Sequence, residues 1–94
     1  MSILVRFTAA PSMTNAKYDE TVRRLEAEMD RWPPDGLEYH CAFSAGGSFR
    51  VSEVWESKEK FDAFGQTLMP ILSETGVELA GEPEVLEVYN TIKG

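Results

Sequence analysis

Leu37-Glu38-Tyr39-His40-Cys41-Ala42-Phe43-Ser44 and Ser48-Phe49-Arg50-Val51-Ser52-Glu53-Val54-Trp55-Glu56, joined by Ala45-Gly46-Gly47, form the stretch on which the fold turns. The first arm sets Leu37, Tyr39, Cys41 and Phe43 against Glu38, His40, Ala42 and Ser44. The second sets Phe49, Val51, Glu53 and Trp55 against Arg50, Ser52 and Val54. A period of two in side-chain character is that of a half-buried strand. The adjacent glycines supply the positive-φ positions of a tight hairpin, so the two strands are expected to be antiparallel neighbours.

Working outward, Pro33-Pro34-Asp35-Gly36 punctuates the chain before the hairpin. Proline has no N–H to continue a helix and pushes the preceding residue out of helical space. Upstream of it Tyr18, Val22, Leu25, Met29 and Trp32 recur at spacings of four and three. This stripe marks the buried face of a helix that Thr14 is placed to cap. Asp19, Glu20, Arg23, Arg24, Glu26 and Glu28 fill its solvated face, with opposite charges four residues apart. Residues 2–8 alternate Ile3, Val5 and Phe7 with Leu4, Arg6 and Thr8 and read as a strand.

Downstream, Ser57 is placed to cap a second helix burying Phe61, Phe64, Leu68 and Leu72. Pro70 is expected to kink or break it after about Met69, before Gly76 ends the segment. Residues 77–83 read as a connection. Val85 to Ile92 reads as the last strand, with Val85, Glu87, Tyr89 and Thr91 on one side and Leu86, Val88, Asn90 and Ile92 on the other.

The order strand–helix–strand–strand–helix–strand, with right-handed crossovers, is that of an α+β ferredoxin-like domain. The expected sheet is antiparallel, of strand order 4-1-3-2, with both helices on one face, and residues 1–94 form one domain. Strands apolar on both sides need a second cover, which a second copy of the same sheet would supply. A homodimer through the sheet face is therefore expected. A chain of 94 residues gains from such burial, because its own core is small.

Nine basic residues against sixteen acidic ones give a formal charge of −7. That balance opposes nucleic acid and anionic membranes as partners, since phosphate neutralisation needs clustered cations. No apolar run approaches the roughly 20 residues of a membrane-spanning helix, and no secretory leader pattern opens the sequence. Cys41 is the sole cysteine, so no intrachain disulfide can form. A reduced, cytoplasmic setting is expected.

Val54-Trp55-Glu56-Ser57 followed by Phe61-Asp62-Ala63-Phe64, a strand ending in tryptophan that enters a capped helix, resembles the dimeric α/β-barrel proteins. That superfamily includes small antibiotic-biosynthesis-type monooxygenases. Gly36-Leu37 with His40, and Leu68-Met69-Pro70 with Gly76, fit an uncharacterised branch of it. The resemblance spans nearly the whole chain. It implies the homodimer and either a binder of a small aromatic molecule or a monooxygenase that works without a cofactor. Heme-degrading members carry a functional tryptophan where Trp55 stands, but also an axial histidine on the second helix and an asparagine on the first strand. Here the second helix has no histidine and the first strand offers Arg6, which opposes heme degradation.

The chemistry-bearing residues are few. His40 is the only histidine, hence the only side chain that titrates near neutrality without perturbation. If Gly46-Gly47 is a two-residue loop, His40 lies opposite Glu53 and beside Val51 and Trp55. If Ala45 joins the loop, His40 faces Ser52 and Arg50 instead. In the first register His40 and Glu53 make a candidate general base for a phenol-like substrate, with Trp55, Tyr18, Phe64, Tyr39 and Arg50 as candidate pocket residues. The competing reading is a structural polar pair in a non-catalytic dimerisation or stress-associated domain, with the aromatics as core. An isomerase or lyase would need the same base and is not separable from an oxygenase at this level. Adjacent strand residues point to opposite faces, so His40 and Cys41 are a poor metal pair, and no metal site is expected. No phosphate loop, nucleophile elbow or dinucleotide fingerprint is present, and no cofactor is expected.

Overall fold

The structure, a computed structural model, describes residues 2–94. Strand β1 (Ile3–Thr8) leads to helix α1 (Asn15–Glu28), the hairpin β2 (Leu37–Ala45) and β3 (Ser48–Trp55), helix α2 (Lys58–Thr75) and strand β4 (Glu84–Glu87). The four strands form one antiparallel sheet in the order β2-β3-β1-β4. This is the expected α+β ferredoxin-like arrangement. Ile3 and Val5 of β1 and Trp55 of β3 meet Leu25 of α1 and Phe64 and Ile71 of α2 in one core. Both helices therefore cover the same face of the sheet.

The hairpin settles which groups share that face. Ala45 pairs with Ser48, and Gly46 and Gly47 alone turn the chain at φ 59° and 83°. Residues with a Cβ enter that left-handed region at a cost, so the two glycines select the two-residue turn. His40 is thereby placed opposite Glu53 and, one strand further, Glu53 opposite Val5. A bulge between Leu37 and Tyr39 departs from simple alternation. The extra residue lets Leu37 face Trp55 while His40 faces Glu53, so both point toward the helices. Tyr39, Cys41 and Phe43 face the other way, and the expected grouping of Leu37 with them does not hold.

Both caps form as the sequence predicts. Thr14 Oγ1 accepts from the Lys17 amide at 3.1 Å and Ser57 Oγ from the Lys60 amide at 3.2 Å. Helix α1 ends sooner than its apolar stripe, with extended backbone at Met29. Its last turn has no basic residue to meet the negative end of the helix dipole. Pro33 and Pro34 also remove the amides that would have bonded the carbonyls of residues 29 and 30. Trp32 thus leaves the helix. Pro70, by contrast, does not break α2, which runs unbroken for 18 residues. Pro70 and Gln66 lie on its exposed side, so water can satisfy the carbonyl that the proline leaves unbonded.

Strand β4 is shorter than its alternating sequence suggests. Its ladder with β1 runs from Glu84 opposite Arg6 to Glu87 opposite Ile3, and a last bond joins the Val88 amide to the Ser2 carbonyl at 3.1 Å. β1 begins at Ile3, so the residues after Val88 lie beyond the strand they would pair with. Tyr89 and Ile92 stand fully or almost fully exposed. The connection before β4 is more ordered than a plain linker: Ala9 pairs with Leu79, and the Ala80 amide bonds Thr8 at 2.9 Å.

Candidate functional site

Between the helices and the sheet lies a cavity of about 290 Å3. Phe7, Phe49 and Val51 form its sheet wall, Leu25, Phe64, Leu68 and Leu72 its helix wall, and Trp32, Pro33 and Pro34 close one side. Nearly all of this surface is apolar. Tyr18, His40 and Glu53 supply a polar corner, with Thr21 near it. Among the described residues, no lysine or arginine lines the cavity.

Three elements build that corner. Tyr18 comes from the first turns of α1, His40 from β2 and Glu53 from β3. The Tyr18 hydroxyl lies 2.6 Å from His40 Nε2. His40 Nδ1 lies 2.6 Å from Glu53 Oε2, and the Trp55 indole N–H donates to Glu53 Oε1 at 3.0 Å. Tyr18 also packs on Phe49 at 5.4 Å between ring centroids, which holds the phenol against the sheet.

The hydrogen bonds have one consistent direction when the imidazole is neutral. The indole can only donate, so Glu53 accepts there, and its other oxygen accepts from His40 Nδ1–H. Nε2 is then the acceptor for the Tyr18 hydroxyl. Burial, and after it the negative charge of Glu53, raises the Tyr18 phenol above its ordinary pKa, with Asp19 and Cys41 adding to the effect. Tyr18 therefore stays protonated, as a donor to His40 must. Glu53 keeps only 7% of its side chain accessible, against 31% for His40. A carboxylate buried that far is tolerable because donors hold both oxygens.

The structure brings together part of the expected set. Tyr18, Phe64, His40 and Glu53 meet at one cavity. Trp55, expected in its lining, is fully buried behind the wall, packed on Phe64 at 5.0 Å and tied to Glu53. Its role is to hold the carboxylate. Tyr39 and Arg50, also expected in the pocket, sit on the opposite face of the sheet, opposite Val54 and Phe43. Tyr39 is half exposed, and Arg50 Nε is buried with no partner among the described residues. Tyr89 is fully exposed and does not line this cavity.

Two features were beyond the pattern reading. The direct bond between Tyr18 and His40 depends on how α1 lies across the hairpin, which periodicity does not report. The wall made by Trp32, Pro33 and Pro34 had a signal, the Pro-Pro pair, but that pair reads first as a helix stop. Cys41 pairs with Ser52 on the face away from His40, and among the described residues no cluster of three His, Cys, Asp or Glu side chains is placed to hold a metal. No helix among the described residues is long and apolar enough to cross a membrane.

The sequence matches no family model and no curated protein. Solved structures do share its fold. SnoaB, a cofactor-independent oxygenase from Streptomyces nogalater, superposes with a TM-score of 0.58 at 21% identity, over 99% of this chain and 96% of that one. The protein YjcS gives a TM-score of 0.64 at 12% identity, over 94% and 99%. A Deinococcus radiodurans protein, provisionally assigned as an antibiotic biosynthesis monooxygenase, gives 0.59 at 15%, over 99% and 97%. At such identities the likeness establishes the fold. The chain has the ferredoxin-like fold of the antibiotic-biosynthesis-monooxygenase-like proteins.

Proposed function

We propose that this protein binds a small hydroxylated aromatic molecule in the cavity and oxidises it with molecular oxygen, without a cofactor. The observation that carries this reading is a single polar corner in an otherwise apolar cavity, its histidine backed by a buried carboxylate. An aromatic body suits the walls, and one acidic hydroxyl suits the corner. His40, oriented and charge-stabilised by Glu53, is the general base. Removing the hydroxyl proton leaves an electron-rich phenolate that can reduce oxygen itself. One oxygen atom bonds to the ring carbon para to the hydroxyl, that carbon loses its hydrogen, and the second oxygen atom leaves as water. The product is a quinone, and the substrate supplies every electron. The similarity in fold to SnoaB, described as a cofactor-independent oxygenase, supports this direction.

The protein is proposed to work as a homodimer through the open sheet face. Phe43 and Leu86 are exposed there beside Tyr39, and a second sheet would cover them.

One observation favours a second, non-catalytic reading. Both ring nitrogens of His40 and both oxygens of Glu53 already have partners within the chain, as in a polar chain kept for structure. α-Naphthol in aerated buffer separates the two. The oxygenase reading expects quenching of tryptophan fluorescence on binding, then one oxygen consumed per naphthoquinone formed, with turnover lost and binding kept in His40→Ala. Binding without turnover leaves a small-molecule binder. Absence of binding leaves the structural domain.

A further inference from the structure

His40 has no free nitrogen in the resting site, because Glu53 occupies Nδ1 and the Tyr18 hydroxyl occupies Nε2 at 2.6 Å. For His40 to take a proton directly, a ligand would have to displace Tyr18, which Phe49 holds in place. The Tyr18 oxygen, however, spends only its hydrogen on His40. Its lone pairs remain able to accept, and Tyr18 lines the cavity.

We infer that Tyr18 is the group that touches the ligand's hydroxyl and passes its proton on to His40. The inference rests on the cavity being a ligand site, as proposed above, and extends it. In this step the ligand O–H bond breaks as the proton moves to the Tyr18 oxygen. The Tyr18 O–H bond breaks as its own proton moves to His40 Nε2. The ligand becomes an anion, His40 an imidazolium, Tyr18 returns neutral, and no electrons change hands. Glu53 keeps its charge and stabilises the imidazolium across 2.6 Å. With nearly a third of its side chain accessible, His40 can release the proton to water while the ligand stays enclosed.

The same geometry defines the ligand class. With no lysine or arginine in the wall among the described residues and Glu53 at its polar end, the cavity has no permanent cation to meet a ligand that arrives already ionised, such as a carboxylate. A neutral, donating hydroxyl on an apolar ring is what Tyr18 accepts. The raised pKa of Tyr18 agrees with a relay, since a phenol that resists ionisation passes a proton on and does not hold the charge. The titratable groups that act on it are Glu53 from β3, Asp19 from α1 and Cys41 from β2, with its partner His40 from the same β2. Helix α2 adds no titratable side chain to the cavity wall.

para-Nitrophenol tests this, because its anion and acid absorb at different wavelengths. As the only histidine, His40 also gives one unambiguous set of imidazole nitrogen signals. At a pH below the free ligand's midpoint, bound nitrophenol should show an anion fraction several-fold above that of free ligand, as an opposite charge within about 4–6 Å produces. The His40 signals should become those of imidazolium together with it. Tyr18→Phe should bind the ligand and leave its acid band and the His40 signals as they are without ligand. His40→Gln, which keeps Tyr18 but removes the final acceptor, should likewise bind the ligand and leave its acid band unchanged, so the test survives if one variant fails to fold. para-Nitrobenzoate, which carries a carboxylate in place of the hydroxyl, should not bind. Four results overturn the inference. An anion fraction in Tyr18→Phe equal to wild type makes His40 the direct base. Binding without ionisation in wild type removes the relay and leaves the ligand site standing. Nitrobenzoate binding as tightly as nitrophenol removes the ligand class. Failure of nitrophenol to bind wild type removes the function proposed above as well.

Discussion

The two faces of the sheet treat buried charge differently. Toward the helices, Glu53 is buried and both its oxygens are engaged, by His40 and Trp55 of the same hairpin. Toward the open side, Arg50 has a buried Nε with no acceptor among the described residues, its cross-strand neighbour Phe43 stands exposed, and so does Leu86 on the same face. A buried polar group without a partner costs about 1–3 kcal/mol. The helix face is thus completed within one chain, down to its polar corner. The open face has the composition of a surface that something outside the chain completes, and a second copy is the proposed cover.

The largest effect that sharpens this contrast is expected at Trp55. Trp55→Ala should destabilise the chain by about 3–5 kcal/mol in urea unfolding, since it empties a fully buried site. Trp55→Phe keeps a ring there but leaves Glu53 Oε1 unpaired, at a cost of about 1–3 kcal/mol. A Trp55→Ala cost under about 1 kcal/mol, a small fraction of what such a cavity exacts, would mean that the helix face is not packed as described.

The open face responds to concentration. Phe43→Lys with Leu86→Lys should convert a dimer into a monomer by light scattering, each side chain removing about 1.5–3 kcal/mol of burial per copy. A wild-type monomer at high concentration would break the comparison, because the open face would then be stable uncovered.

How far the sequence carried the fold differs by region. The hairpin was legible up to a choice of two registers, and the Gly46-Gly47 turn selects the one that pairs His40 with Glu53, while the bulge between Leu37 and Tyr39 shifts the last pair. The capped helix starts were legible because Thr14 and Ser57 act locally. The ends were not. Where α1 stops depends on a missing cation and on two prolines acting together, and where β4 stops depends on its neighbour β1. The site was half legible: cross-strand pairing brought in His40 and Glu53, but a one-residue bulge and the lie of α1 decided what else joined them. Tyr39 and Trp55 were misplaced for different reasons. Tyr39 neighbours His40 on the strand and so points to the other face with Cys41 and Phe43, and a tryptophan on the cavity side of a strand can be buried behind the wall that it supports.

A smaller effect concerns the entry to the hairpin. Gly36 has φ 87°, and a Cβ there would lie 2.6 Å from the Lys60 side chain. Gly36→Ala should cost about 1 kcal/mol or more by thermal unfolding, against a smaller change at a glycine with ordinary φ such as Gly65.

The smallest effect lies on the far side of α1. Arg23 and Arg24 hold the Glu20 carboxyl down at about 2. A depressed carboxyl contributes stability above its ordinary value of 4.5 and loses it as pH falls toward 2. Glu20→Gln should therefore be slightly less stable than wild type near neutrality and equal to it in strong acid, with the gap narrowed by salt because the group is exposed. Tyr18 has the opposite sign. Its raised pKa favours the folded state below about 10, and that contribution fades at higher pH. Tyr18→Phe should flatten the alkaline limb of the stability curve and leave the acid limb unchanged.

The most direct test of the central claim is a crystal structure of the protein with α-naphthol. The ring is expected between Phe49 and Leu68 and the ligand hydroxyl within hydrogen-bond distance of the Tyr18 oxygen, with His40 still bonded to Glu53. A naphthol seated on the open face, or an empty cavity at saturating ligand, would contradict it.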